Sequence, residues 1–381
     1  MMDFKMKQLL RMAIVAAPFT MMITHASAEQ VIKIGHVAPV TGGQAQYGKD
    51  SENGARLAIE EINKDGLVIG SEKITLQLDS QDDAGDPRQA TQVAQLLVDD
   101  HVVAVVGHLN SGTSIPASKI YRDAGIVQIS PAATNPTYTH QGFKTTYRVV
   151  ATDAQQGPAL ASYAQSKGIK SVAVVDDSTA YGQGLASEFE KSAKAIGLKV
   201  MSHDATNDKA VDFRAILTKI KGENPEAIMY GGTAATGGPF AKQAMQLGIR
   251  AKILAGDGVC ADQLADLAGA AAANVVCSEA GAPLDKMPGG ATFKSKYAKR
   301  FNQPIQLYAP YSYDAIYIIV DAMKRANSTD PAKLLAAMPK TNYAGVLGNV
   351  SFDANGDLQH GVISLYTYPG GKKALIDEVK M

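Results

Sequence analysis

The chain has 381 residues, of which 46% are hydrophobic and 19% are charged, and this composition excludes a disordered or collagen-like protein. Its 37 Lys and Arg residues balance 37 Asp and Glu residues, so no global basic field exists to attract nucleic acid. The length favours two domains, each large enough to bury its own core.

The first 28 residues have the features of a secretory signal. Basic residues precede an apolar stretch at 12–23, which ends in a small-x-small pattern at 26–28. This pattern predicts export, with cleavage before Glu29. A retained N-terminal anchor is the alternative, but the apolar stretch is short for a membrane span.

Beyond this leader, short β-branched segments alternate with segments of helical periodicity, which is typical of parallel sheets flanked by helices. In the first series, strands and helices are predicted alternately at 31–37, 54–62, 73–78, 87–98, 102–106, 114–124 and 126–129. We interpret 152–158 as a crossing segment that leads into a second lobe.

The second series has predicted strands at 171–175, 198–201, 227–230 and 252–254, with helices at 185–195 and 213–220. Further helices are predicted at 309–326 and 331–338, and strands and turns follow from 343. The acidic run at 353–357 indicates a hairpin turn. A calcium loop is the alternative for that run, but Gly356 is misplaced for it and the loop-closing Glu is missing.

Motifs for catalysis or cofactor binding are missing from the sequence. It contains no GxSxG, HExxH or P-loop, and its histidines lack the spacing of metal ligands, so we expect no cofactor or metal. The glycines at 182 and 184 follow a predicted strand, but Ser187 stands where a dinucleotide fingerprint has its third glycine. In an exported chain, Cys260 and Cys277 are expected to form a disulfide rather than two free thiols or half a metal site.

Two polar loops follow predicted strands, at the positions where open α/β sheets bind ligands. They cover 107–114 and 130–136. The first opens a predicted helix, so its backbone N–H groups and hydroxyls suit an anion such as a carboxylate. Helix capping by Ser111 or Thr113 explains the same residues without a ligand, and these residues alone leave both interpretations open.

These two loops and several other motifs resemble those of the periplasmic leucine/isoleucine/valine-binding proteins. The matching motifs cover the mature chain in order, at 46–48, 79–83, 86–87, 106–111, 130–136, 181–184 and 230–232. The resemblance implies an α/β fold of the type I periplasmic binding class, with two doubly wound lobes joined by three crossing segments. It assigns 29–152 plus 281–355 to lobe 1, and 153–280 plus 356–381 to lobe 2.

The resemblance also implies a function. The chain would be a monomeric periplasmic receptor that binds leucine, isoleucine, valine or another small neutral amino acid between its lobes. It would close by hinge motion and deliver the ligand to the membrane permease of an ABC transporter. A sensory ligand-binding subunit and an enzyme on the same scaffold are the alternatives, and the missing signalling segment and base-activated nucleophile argue against them.

The resemblance assigns roles within the site. Ser111 and Thr134 would bind the ligand carboxylate, while the Ala132 carbonyl and Asp257 would bind its ammonium. Tyr47 and Tyr181 would lie beside the ligand side chain, or would only wedge the lobes together. The full set of expected ligand-binding residues is Tyr47, Ser111, Ala132, Ala133, Thr134, Tyr181, Thr233 and Asp257.

Two second-lobe positions depart from the family pattern. Thr233 stands where the best-known members have an aromatic residue, and Asp257 stands where they usually have Glu. Gly85 and Asn110 occupy the positions of a disulfide found in some members, so a bond between the two cysteines here would be a different one. These departures bear on which side chain the site prefers.

Overall fold

The computed structural model describes residues 30–380. The leader predicted at 1–28 and its cleavage before Glu29 lie outside these residues. Within 30–380, no helix has both the length and the apolar character that a bilayer crossing requires.

Fifteen strands are present in the described part of the chain. They are β1 Gln30–Ala38, β2 Leu67–Ile69, β3 Glu72–Asp82, β4 Ala104–Gly107, β5 Val127–Ser130, β6 Thr146–Arg148, β7 Ser171–Asp176, β8 Lys199–Ala205, β9 Ala227–Gly231, β10 Lys252–Ala255, β11 Val275–Glu279, β12 Tyr343–Gly345, β13 Gly348–Val350, β14 Val362–Thr367 and β15 Ala374–Lys380.

Eleven α-helices accompany these strands over residues 30–380. They are α1 Ala45–Asp65, α2 Pro87–Asp99, α3 Ser111–Ala124, α4 Asp153–Ser166, α5 Ala180–Ala195, α6 Arg214–Glu223, α7 Ala234–Gln246, α8 Gln263–Ala268, α9 Gly290–Phe301, α10 Ala309–Ala326 and α11 Pro331–Ala337.

The strands form two main sheets. The first has the order β2-β3-β1-β4-β5-β6 and is parallel except for β2, and we call it and its helices the first lobe. The second lobe contains the order β15-β14-β11-β10-β9-β7-β8, in which β14 and β15 are antiparallel. Strands β12 and β13 pair only with each other.

The chain passes between the two sheets after β6, after β11 and after β13. Two of these crossings lie side by side, because the Ala151 N–H donates to the Ala280 carbonyl at 3.0 Å. The predicted α/β architecture of two doubly wound lobes joined by three crossing segments is therefore confirmed.

The segment predicted as a crossing at 152–158 is mostly helical. Helix α4 begins at Asp153, directly after Thr152, and a reciprocal capping box joins Thr152 to Gln155. This Thr-x-x-Gln spacing is a known helix-start signal, and it places the crossing before 153. The helix continues through Pro158, which the sequence reading took as part of the connection.

Helix α7 was not predicted, because its interior contains Gly237, Gly238 and Pro239, all weak helix formers. Packing explains at least one of these residues. A Cβ atom on Gly238 would lie 2.4 Å from the Leu267 Cβ atom, so only glycine allows α7 to approach α8 this closely. Strand β11 and helix α9 were also missed.

Cys260 and Cys277 form a disulfide in the structure, with their Cα atoms 5.3 Å apart. Both are fully buried, and the bond ties the loop after β10 to strand β11. That loop also contains Asp257.

We expect no free thiol when the exported protein is denatured without reductant, because the compartment favours oxidation. Replacing both cysteines with serine should lower the free energy of unfolding by about 3 kcal/mol, since the disulfide closes a loop and so restricts the unfolded wild-type chain. Thiol titration and urea unfolding measure the two effects, and two reactive thiols in exported material would contradict the pairing.

Candidate functional site

A cavity lies between the carboxyl ends of the parallel strands of the two sheets. It encloses about 330 Å³ of atom-free space, part of it open to solvent. Its walls come from the loops and helix starts after β1, β4 and β5 and from the start of α10 in the first lobe, and from the loops and helix starts after β7, β9 and β10 in the second. The lining residues are Gln44, Tyr47, Leu109, Asn110, Ser111, Ala132, Tyr181, Thr233, Asp257, Gly258 and Tyr308.

Ser111 is the first residue of α3 and faces the cavity. Its Oγ atom accepts a hydrogen bond from the Asn135 N–H at 3.2 Å, which joins the loop after β4 to the loop after β5. The hydroxyl proton of Ser111 therefore remains able to donate to a ligand. This position at the start of a 14-residue helix suits a negatively charged group.

The loop after β5 is held from within by Ser130. Its Oγ atom accepts from the N–H groups of Ala132 and Ala133, at 3.3 and 2.9 Å, and donates to the His108 carbonyl. Ala132 lines the cavity. Ala133 does not, and its N–H is already bonded, so this predicted site residue offers the cavity no free donor.

Thr134 is completely buried but does not line the cavity. Its hydroxyl lies beside the Asp153 carboxyl and lowers the pKa of that acid, but neither Oγ1 nor Asp153 Oδ2 has a hydrogen bond of good geometry in the described part of the chain. The Asp153 N–H donates to the Thr134 carbonyl at 2.9 Å, so the two residues are fixed next to each other. Two poorly satisfied polar atoms thus lie in the interior near the cavity.

Among the residues that line the cavity, Asp257 is the one with a charged side chain, and it is only 3% exposed to solvent. Its carboxylate accepts hydrogen bonds from Gln156 at 2.8 Å and from the hydroxyls of Tyr181 and Tyr308, each at 3.0 Å. Burial raises the pKa of Asp257, and the three donors only partly offset that effect. No Lys, Arg or His among residues 30–380 forms an ion pair with it, so a cation would be stabilised here.

Asp153 is a second buried acid close to Asp257, and the sequence reading missed it. Burial raises the pKa of Asp153, and the negative charge of Asp257 raises it further. The Gln156 amide connects the two carboxyls, at 3.3 Å from Asp153 and 2.8 Å from Asp257. The signal that could have found Asp153 is its place at the start of α4, directly after a crossing segment.

Three tyrosines line the cavity. Tyr47 and Tyr308 meet edge to face, with ring centroids 5.7 Å apart. Tyr181 donates to Asp257 and accepts from the Gly258 N–H at 2.8 Å, which places its hydroxyl beside the expected head group. A Cβ atom on Gly258 would lie 2.7 Å from the Tyr181 ring, so this approach requires glycine.

Tyr308 was missed by the sequence reading and is positioned by Asp50 of α1. The buried Asp50 carboxylate accepts from the N–H groups of Leu307, Tyr308 and Ala309 at 2.8–2.9 Å. These bonds fix the start of α10 against α1 and hold Tyr308 at the cavity. Its sequence position, just before a long helix, gives no pattern that marks it as a site residue.

Thr233 lines the cavity at the N-cap position of α7, where its side chain makes no capping hydrogen bond. It lies on the second-lobe wall, and Leu109 and Tyr47 belong to the first-lobe wall. The structure therefore brings together six of the eight predicted residues, while Ala133 and Thr134 lie behind the loop surface. The assembled groups suit a small molecule that carries both a cationic and an anionic group.

Comparisons with known proteins agree with this architecture. A model of the periplasmic binding protein family matches residues 31–370. Leu/Ile/Val-binding protein homolog 1 of Brucella abortus (strain 2308) is 37% identical over 334 residues, covering 87% of this chain and 88% of the relative. The leucine-, isoleucine-, valine-, threonine-, and alanine-binding protein of Pseudomonas aeruginosa is 33% identical, covering 94% of each chain.

A solved structure is also similar. It is LivJ, the branched-chain amino acid transporter substrate binding protein of Streptococcus pneumoniae, in complex with isoleucine. The two proteins are 27% identical, with a TM-score of 0.83, and the match covers 92% of this chain and 100% of LivJ.

The raised pKa of Asp257 predicts how pH affects the unliganded protein. Between about pH 4 and the higher pKa of the folded state, the unfolded chain has released this proton while the folded protein retains it, so stability falls as pH rises across that interval. Asp257→Asn removes this titration. The free energy of unfolding of the wild type minus that of the variant should therefore decrease from pH 4 upward in urea titrations, and a pH-independent difference would contradict it.

Proposed function

The chain belongs to the periplasmic binding protein family, and we propose that it is a receptor for a small neutral α-amino acid, with leucine, isoleucine and valine as the first candidates. The single observation that carries this proposal is the buried carboxylate of Asp257, which has polar donors but no cation among the described residues.

An α-ammonium group satisfies this carboxylate. A buried, hydrogen-bonded ion pair is much stronger than one at the surface, because water does not screen it. The ammonium also reduces the repulsion between the two acids, since the charge of Asp257 raises the pKa of Asp153. Ala132 lines the same cavity, and its carbonyl is an additional acceptor in this proposal.

The ligand carboxylate binds at the opposite wall, at the start of α3. Ser111 has a hydroxyl proton to donate, and the helix N-terminus favours negative charge. When the ligand is bound, a rotation of the Thr134 side chain, without movement of the loop backbone, brings its hydroxyl to the carboxylate, which gives this poorly satisfied group a function. The two charged ends of an amino acid thus match the two ends of the cavity.

The ligand side chain lies against Tyr47, Leu109 and Thr233, a wall that is partly apolar and partly aromatic. The relatives named above support an aliphatic side chain, because they bind leucine, isoleucine, valine, threonine or alanine. Thr233 is smaller than an aromatic residue, so it leaves additional space at this wall.

Binding shifts the population of the two lobes toward the closed form, since groups from both lobes complete the site. The closed receptor then delivers the amino acid to the permease of an ABC transporter. The proposal includes export to the periplasm after cleavage before Glu29, a monomeric state, and no chemical change in the ligand.

Mass spectrometry of the small molecules released from the purified protein tests the proposal directly. We expect an α-amino acid, and calorimetry against leucine, isoleucine, valine, threonine and alanine should then give its rank. A protein that releases no amino acid and binds none of this panel would contradict the proposed function.

Asp257→Asn should weaken the binding of every α-amino acid by roughly 2–5 kcal/mol, because it leaves the ligand ammonium buried without a counter-ion. The rank order should not change, since every member of the panel has the same head group. Asp314→Asn is the matched control, because Asp314 is also a buried acid but binds the N–H groups of Val346 and Leu347 away from the cavity. It should leave affinity unchanged in the same titrations.

Thr233→Tyr should change the rank order within the panel, because it fills space beside the ligand side chain. A difference of one methylene in an apolar pocket is worth about 1–3 kcal/mol, so leucine should lose affinity relative to alanine. The same calorimetric panel measures this. A uniform loss for every amino acid would place Thr233 at the head group instead.

A further inference from the structure

Arg148, the last residue of β6, is completely buried and does not line the cavity. We propose that Arg148 is a positioning residue that sets the place of Thr134, in the loop after β5, relative to the ligand. This inference rests on the proposed function, because it assigns to Arg148 a part in binding the amino-acid head group.

The Arg148 guanidinium bonds to the carbonyls on both sides of Thr134. Its Nη1 atom donates to the Ala133 carbonyl at 2.6 Å, and Nη2 donates to the Asn135 carbonyl at 3.0 Å. The backbone on either side of Thr134 is therefore attached to one rigid, planar group. These two bonds fix the backbone position from which the Thr134 side chain extends.

The remaining donors of Arg148 fix the guanidinium itself. Its Nε atom donates to Asp357 at 2.6 Å, Nη2 also donates to the Thr139 hydroxyl at 2.7 Å, and the guanidinium carbon lies 5.3 Å from the centre of the Tyr138 ring. The Thr139 hydroxyl in turn donates to Asp357 at 2.7 Å. Arg148 is thus held on several sides, so its guanidinium is a fixed point to which the loop is attached.

The other side of the loop is held by Ser130, which accepts from the N–H groups of Ala132 and Ala133. Ser130 therefore binds backbone N–H groups of the loop, and Arg148 binds backbone carbonyls of the same loop. Together they fix the loop conformation, although neither side chain lines the cavity. Such support of a direct binding group by a second layer of hydrogen bonds is what keeps a binding site precise.

A buried ion pair such as Arg148 with Asp357 is weak support for stability, because removing two charges from water offsets most of their attraction. Its geometric effect is larger. Arginine presents a planar fork with five donors, whereas lysine has one compact ammonium that cannot reach four acceptors on different sides. Arg148→Lys therefore keeps the charge and loses the positioning.

The test is a double-mutant cycle between Arg148→Lys and Thr134→Ala, measured by calorimetry with L-leucine and L-valine as probes. Circular dichroism first establishes a temperature at which all variants are fully folded. Arg148→Lys alone should weaken binding about 10- to 100-fold, as is typical when a residue that orients a direct ligand is changed. In the Thr134→Ala background the same change should weaken binding less than about 3-fold, because the group it positions is gone.

Asp357→Asn provides a second variant in case Arg148→Lys does not fold. It removes the charge that holds the Arg148 Nε atom, and it should weaken binding in the wild-type background but not in the Thr134→Ala background. Asp314→Asn again serves as the control, and it should leave both affinities unchanged.

Two outcomes would overturn the inference. One is unchanged affinity in folded Arg148→Lys and Asp357→Asn proteins, and the other is an equal loss with and without Thr134→Ala. Either result in a wild type that binds amino acids leaves the proposed function intact. A wild type that binds no amino acid overturns both.

Discussion

The binding site depends on a carboxylate that the fold removes from water without giving it a basic partner among residues 30–380. Asp257 receives three hydrogen bonds, yet burial still raises its pKa, and Asp153 adds a second acid nearby. A folded protein tolerates such a group only at a cost in stability. In the proposed function, the ammonium of an amino acid removes that cost, so affinity for the ligand and the cost of burying Asp257 have the same physical origin.

The surrounding structure serves to hold neutral donors around these acids. Asp50 fixes the start of α10 and thereby Tyr308, while the Gly258 N–H orients the Tyr181 hydroxyl. Both tyrosines then donate to Asp257 from different lobes. The disulfide holds the Asp257 loop against β11. Each of these contacts is made between protein groups.

The family and the two-lobed fold could be predicted from the sequence, because buried strands and the loops after them leave local patterns. Both predictions are confirmed. Ser111, Ala132 and Asp257 lie in such loops, and the structure places all three at the cavity. The lobe boundaries, the leader and the roles of the site residues remain predictions.

Other residues could not be found in this way. Tyr308, Asp153 and Gln156 reach the site from helix starts, and Arg148 reaches the loop from the end of a strand. Their neighbours in space are distant in sequence, so no local spacing indicates them. Only the Thr152 capping box was a readable signal, since it shows that α4, and with it Asp153, begins immediately after the crossing.

The hydrogen bond between Tyr308 and Asp257 joins the two lobes directly, and so does the bond from the Asn135 amide to the Ala180 carbonyl at 2.6 Å. Contacts of this kind favour an arrangement in which the two lobes lie together. Apparent affinity is the intrinsic affinity multiplied by the fraction of molecules already competent to bind. Substitutions of the Asn135 side chain can therefore retune the working concentration range of the receptor while every ligand contact stays the same.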